Sequence, residues 1–297
     1  MPDRVRGNAI AAPHENHHKR SNIMIDSHHH LWNPLRGDYG WMPDNDPILS
    51  HKYGLSDLVS VAAQNGIDQT VLVQAAPSVH ETEYMLGIAD STDLIGGVVG
   101  WINFEDEQDR AQLERLRNHP KFKSVRPMVQ DIEDDKWLLR DDIRWAFDAV
   151  VELDICFDAL GFPRHSAPFL EVFQRHPEMK VVIDHCMKPQ IAGDGFDEWA
   201  GDIQKLANET GACIKLSGLV TEAGDKANQQ SMQRYVDHVI SCFGADRIMF
   251  GSDWPVSRLS MEYGDWLNLA ISLTDGLSDA EKKAIFSTTA SRFYGLT

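Results

Sequence analysis

Two imidazoles stand two residues apart in the run Asp26-Ser27-His28-His29-His30. Side chains of an extended strand alternate between faces, so His28 and His30 share one face while His29 takes the other. Neutral imidazoles placed in this way bind a metal ion or hold an anion-like oxygen by hydrogen bonds. Two later segments end an apolar run on a residue of the same kind. Val181-Val182-Ile183-Asp184-His185 ends on a third imidazole, and Ile248-Met249-Phe250-Gly251-Ser252-Asp253 ends on a carboxylate. Taken singly, His185 reads as a satisfied core histidine and Asp253 as a helix cap ahead of Pro255. Taken together, three imidazoles and a carboxylate are a workable set for one zinc ion, and equally a base with polarising partners for attack of water on a carbonyl. His14-Glu15-Asn16-His17-His18 matches the zinc-protease H-E-x-x-H pattern by letter. That pattern requires a helix, and neither Pro13 nor the surrounding polar residues support one.

Residues on separate segments meet only if a fold brings their segment ends together. From residue 23 onward, short apolar runs alternate with helix-like stretches, as in β/α units around a parallel sheet. Strands are expected at Ile23 to His28, Gln69 to Gln74, Ile95 to Trp101, Phe122 to Arg126, Asp154 to Ala159, Lys180 to Asp184, Cys213 to Leu216 and Arg247 to Phe250. Amphipathic stretches lie between them, at Leu55 to Gln64, Glu81 to Ala89, Asp141 to Val151, Ala167 to Arg175, Trp199 to Glu209 and Met232 to Phe243. Met261 to Leu273 and Asp279 to Tyr294 would close the ring. The expectation is an α/β fold, a (β/α)8 TIM barrel over residues 23–297, preceded by a flexible polar tail over 1–22, with Met24 a candidate natural start. In such a barrel the active site is built from the C-terminal ends of several strands, where His28, His30, His185 and Asp253 all fall. An open doubly wound sheet is the alternative. Its nucleotide-binding form needs a glycine-rich turn after the first strand, a place occupied here by Ser27-His28-His29-His30. The sequence contains no Walker A motif and no G-x-S-x-G, and Gly193-Asp194-Gly195 lacks a third glycine.

Composition narrows the partners. Asp and Glu outnumber Lys and Arg by 45 to 28, a formal charge of -17, which repels nucleic acid and anionic membrane. The 42% hydrophobic content suffices for a large core. Cys156, Cys186, Cys213 and Cys242 form no C-x-x-C pair, consistent with reduced thiols in a cytoplasmic protein. No apolar run reaches transmembrane length, and residues 1–22 lack the apolar stretch of a secretory signal. The expected partner is a small molecule, and homo-oligomerisation is left open.

Several pieces of the chain, read together, resemble the amidohydrolase superfamily. They are Ile25-Asp26-Ser27-His28-His29-His30-Leu31-Trp32, Val99-Gly100-Trp101, Lys123-Ser124-Val125-Arg126, Arg175-His176-Pro177, Asp184-His185-Cys186-Met187-Lys188-Pro189, Lys215-Leu216-Ser217-Gly218-Leu219 and Phe250-Gly251-Ser252-Asp253-Trp254-Pro255. The chain is similar to the amidohydrolase-related branch of sugar-acid lactonases, L-fucono- and L-rhamnono-lactonases above all, over about Met24 to Leu296. The resemblance implies a hydrolase that opens a sugar-acid lactone and requires no tightly bound metal. A single divalent ion such as zinc would suit His28, His30, His185 and Asp253. No position suits a carboxylated lysine, so a binuclear centre is not expected, and Lys123 and Lys188 read as binding or structural groups.

In such a lactonase Asp253 is the base that activates water, and His28, His30 and His185 polarise the carbonyl. Trp32 and Trp101, with Tyr39 and Trp41, offer aromatic faces to the C–H side of a sugar ring. Arg126 and Lys188 are the expected cationic substrate-binding groups. A dicarboxylate lactone would require more cations to converge, with Arg164 and Arg258 as further candidates. Two other readings use the same residues: a metal-dependent decarboxylase of the same superfamily and a non-catalytic sugar-acid-binding barrel.

Overall fold

A computed structural model of the chain describes residues 23–193 and 195–297. The tail over 1–22, its H-E-x-x-H pattern and Asp194 lie outside the described residues. Eight strands follow one another: β1 (Ile25–His29), β2 (Gln69–Val73), β3 (Ile95–Gly100), β4 (Phe122–Val125), β5 (Cys156–Ala159), β6 (Lys180–Ile183), β7 (Cys213–Leu216) and β8 (Ile248–Phe250). Each pairs in parallel with the next, in sequence order. The strands depart from the expected bounds by at most two residues. The seam between β8 and β1 is drawn together just past the strand ends, where Asp253 N donates to His28 O and His30 N donates to Trp254 O, both at 2.7 Å. Below these bonds the buried Asp26 carboxylate crosses the seam, accepting from Ser252 N, Ser252 Oγ and Tyr263 Oη.

The outer layer comprises α1 (Leu55–Asn65), α2 (Val79–Asp90), α3 (Arg110–Arg117), α4 (Arg144–Glu152), α5 (Ser166–Arg175), α6 (Phe196–Glu209), α7 (Leu219–Ala223), α8 (Gln229–Phe243), α9 (Tyr263–Leu273), α10 (Asp279–Lys283) and α11 (Thr289–Tyr294). Each long helix turns an apolar stripe to the sheet, as α6 does with Trp199, Ile203 and Leu206. Ser78 and Asn228 cap α2 and α8 through their side chains. The sequence pattern did not signal α3, because only Leu113 and Leu116 of its eight residues are buried. The segment from Asp279 to Tyr294, expected as one stretch, is broken by a π turn over Ala284–Thr288. Inside the barrel the floor is apolar, with Ile25, Val71, Val99, Cys156, Val182, Cys213 and Met249 packed on Tyr294 and Leu296 from the chain's C-terminal end. Among the described residues no helix is long and apolar enough to cross a membrane.

Candidate active site

Strict alternation along β1 would turn Ile25 and His28 to opposite faces. The pairing register between β1 and β2 slips by one residue between Asp26 and His29, which is a β-bulge. Ile25 therefore joins the apolar floor while His28 also points inward, three residues later. His30 shares the inward direction of His28, and their Nε2 atoms lie 3.2 Å apart. His29 turns to Thr70, as expected of the opposite face. Two glycines make room for the rings. A Cβ on Gly251 would stand 2.7 Å from the His28 Cβ, and one on Gly218 would meet the His185 ring at 2.7 Å, at a φ of +68°. His185, Cys186, Met187 and Lys188 all adopt left-handed φ between 48° and 59°, and Asp253 adopts 56°. Such conformations cost energy in L-residues and concentrate where geometry serves a site. Here the left-handed turn carries Lys188 from the end of β6 back to the cavity wall occupied by His185.

Asp253 Oδ1 lies 3.4 Å from His30 Nε2, 3.7 Å from His28 Nε2 and 3.9 Å from His185 Nε2, so the four expected residues meet at the C-terminal mouth. Their hydrogen-bond partners assign the protons. Val73 O can only accept, so a neutral His30 carries its proton on Nδ1 and presents a lone pair at Nε2. At the other end Lys215 Nζ, which can only donate as an ammonium, lies 3.0 Å from His28 Nδ1. His28 then carries its proton on Nε2 and donates it toward His30. A single consistent chain results: Lys215 to His28, His28 to His30, His30 to the end of β2. His185 is held separately, with Nδ1 2.9 Å from Ser217 Oγ.

Beneath the histidines lies a buried ionic layer that the expected site did not include. Lys215, fully buried on β7, contacts Asp158 Oδ2 at 2.5 Å and Asp184 Oδ1 at 3.0 Å. Asp158 also accepts from Ser124 Oγ and Tyr294 Oη, and Asp184 accepts from Arg126 at 3.1 Å. A signal for this layer exists in the sequence: Lys215 and Asp158 sit at inward parity, two residues after Cys213 and Cys156, and buried charges survive only in pairs.

The electrostatics suit a base beside neutral imidazoles. Burial drives the His28 imidazole well below its usual value, aided by the Lys215 ammonium. Burial likewise lowers His185 to about 4, against the pull of Asp253 and Asp184. Burial alone would raise Asp253, but His185, His30 and Lys188 outweigh it and hold the carboxyl below its ordinary range. Asp184 behaves similarly: Lys215, His28 and Arg126 overcome its burial and keep it well below the usual carboxylate value.

A cavity of about 260 Å³ opens over this centre, walled by His30, His185 and Asp253 with Trp32, Arg126 and Lys188. Trp32 is fixed by its Nε1 on His51 O, and Lys188 Nζ bonds Gln130 Oε1. Arg126 has little left to offer a ligand, because its terminal nitrogens bond Gln74 O and Asp184 and only Nε lacks a partner among the described residues. Trp101 lines a neighbouring cavity instead, and Trp41 borders both. Arg164 pairs with Asp135 and Arg258 with Glu262, and neither lines the cavity. Lys123 bonds Gly295 O beside the C-terminal residues, below the floor. The donor set fits a divalent ion: ligand atoms of His28, His185 and Asp253 lie within 4.8 Å of one another. Ligation through His28 Nε2 would move its proton to Nδ1, where Asp184 Oδ1 at 3.5 Å can accept it.

Known proteins resemble this chain over most of its length. A family model described as amidohydrolase matches residues 25–296. An L-fucono-1,5-lactonase of Burkholderia ambifaria is 36% identical over 92% of this chain and 95% of its own length. A second L-fucono-1,5-lactonase, from Burkholderia multivorans, is 30% identical over 92% of this chain and 96% of its own. Among solved structures, a crystal structure of an amidohydrolase from Burkholderia multivorans with bound zinc superposes with a TM-score of 0.87 at 29% identity, covering 93% of this chain and all of the other.

Proposed function

The chain belongs to the amidohydrolase family, and from that premise we propose that it is a lactonase, a hydrolase that opens the ring of a sugar-acid lactone of the L-fucono-lactone type. The observation that carries this reading is the Asp253 carboxylate facing three imidazoles within 3.4 to 3.9 Å at the wall of a cavity sized for one sugar ring. Water beside Asp253 gives a proton to the carboxylate as its oxygen bonds to the carbonyl carbon. Charge developing on the carbonyl oxygen is met at the cavity wall by His185 and by the Lys188 ammonium, with His28 buried behind them. His30, its Nε2 lone pair engaged by the His28 Nε2–H, stands in the wall beside Asp253. When the ring C–O bond breaks, the leaving oxygen takes the proton from Asp253, and the product is an open-chain sugar acid.

Trp32 supplies the apolar side of the ring's seat, and Arg126 lines the wall with its two terminal nitrogens bonded to Asp184 and Gln74 O. With both terminal nitrogens of Arg126 engaged by the protein, a neutral polyhydroxylated lactone is favoured over a dicarboxylate lactone, which would call for a free bidentate grip. His28, His30, His185 and Asp253 would hold a divalent ion, which when bound polarises a carbonyl or acidifies a water. A pH-indicator screen across aldonolactones, run with and without chelator, tests the reading through the acid released. Turnover of six-carbon sugar lactones is expected. Release of carbon dioxide from aromatic acids with no lactone turnover would replace it with a decarboxylase.

A further inference from the structure

The larger cavity at the barrel mouth is the one without the reactive groups. It has a volume of about 580 Å³, and it meets the 260 Å³ catalytic cavity at Trp41, Met128 and Asp131. Its walls carry four aromatic rings, from Trp41, Trp101, Phe104 and Trp137. Trp101, which the sequence suggests as a platform for the reacting ring, belongs to this second space. The polar groups along the wall are acceptors and an amide: Asp38, Asn103, Glu105 and Asp131. Among the described residues no lysine or arginine lines it, which is unfavourable to an anion.

A cation is also poorly matched, because two of the carboxylates are already neutralised by neighbours. Asp38 pairs with Arg36 at 2.5 Å, and Glu105 pairs with Arg140 at 2.6 Å while accepting from Trp137 Nε1 at 2.8 Å. Their remaining lone pairs accept hydrogen bonds without demanding charge. Indole faces beside neutralised acceptors match the two sides of a sugar, whose C–H face is apolar and whose rim donates hydroxyl protons. We propose that this cavity is a subsite for a neutral glycosyl unit carried on the lactone, so that the enzyme accepts aldonolactones of disaccharides as well as of single sugars. The proposal rests on the lactonase reading and adds a binding site to it.

Gly40 provides the test, since it lines the outer cavity but not the catalytic one, and a Cβ there meets nothing within 4 Å. The wild type and Gly40→Phe are compared on hexono-1,5-lactones and on their 1,4- and 1,6-linked glucosyl and galactosyl derivatives, with thermal melts to verify folding. At least one glycosylated lactone should show a KM roughly 3- to 10-fold below that of its parent, the range expected for one sugar face on an indole. Gly40→Phe should abolish that gain and leave kcat/KM for the parent lactone unchanged. If no derivative binds better than its parent, or if Gly40→Phe impairs both substrates alike, the subsite is refuted while the lactonase stands. If neither parent nor derivative is hydrolysed, it is the lactonase reading that fails.

Discussion

Asp253→Asn removes a proton acceptor and disturbs little else. Asp253 holds a left-handed φ of 56°, a region that Asn enters more readily than most residues. Its backbone bonds, to His28 O through the N–H and from Ser257 N through the carbonyl, do not involve the side chain. The amide keeps the carboxylate's size but cannot take a proton from water. Loss of one general base costs roughly 100- to 10,000-fold in rate, or about 3 to 5 kcal/mol of barrier. The loss should fall on kcat, because the proposed donors to the carbonyl, His185 and Lys188, stay in place. Steady-state kinetics on a six-carbon sugar lactone give kcat and KM separately, and circular dichroism verifies the barrel. A folded Asp253→Asn protein with near-normal kcat over roughly pH 5 to 8 would refute Asp253 as the base.

Lys215→Met leaves Asp158 and Asp184 in a dry barrel without their shared cation, which should cost roughly 3 to 5 kcal/mol and lower Tm by on the order of 10 °C. Adding Asp158→Asn should restore part of that loss; an unchanged Tm in the single variant would mean that the layer is not held by charge. Because His185 is held at about 4 and Asp253 below its ordinary range, and the reaction needs Asp253 ionised, kcat/KM should stay flat from neutral pH to roughly 5 and fall only below that. An acid limb centred near 6.5 would instead assign control to an unperturbed histidine. Deleting residues 1–22 should leave Tm and turnover unchanged, since β1 begins at Ile25; a large loss of either would show that the segment packs on the barrel.

Much of this molecule is written locally in its sequence. The eight strands announce themselves because a fully buried parallel strand must be a short apolar run, and the helices between them because each needs an apolar stripe. His28, His30, His185 and Asp253 stand out because each is a polar residue at or just past the end of a strand-like run, the position where barrel strands deliver side chains to a common face. Arg126, directly after β4, follows the same logic, whereas Lys188 reaches the wall through the left-handed turn after β6. The short α3 did not stand out, since two leucines make no periodicity, and the place of Trp101 could not be read from its position after β3.

Other features depend on contacts between residues distant along the chain. Alternation alone does not reveal the bulge in β1, which exists because the pairing with β2 slips by one residue, and without it Ile25 and His28 would not both face inward. The proton positions on His28 and His30 depend on Lys215, 187 residues away, and on Val73 O, 43 residues away. Asp158 and Lys215 are visible as charges in apolar strands, but only closure of the barrel turns two isolated desolvation penalties into one buried pair. Local patterns can specify which residues face inward or outward within an element. Hydrogen-bond partners and electrostatic neighbours come from different strands, so Asp253, its neighbouring imidazoles and the ionic layer beneath them acquire their electrostatic environment only when the eight strands are assembled.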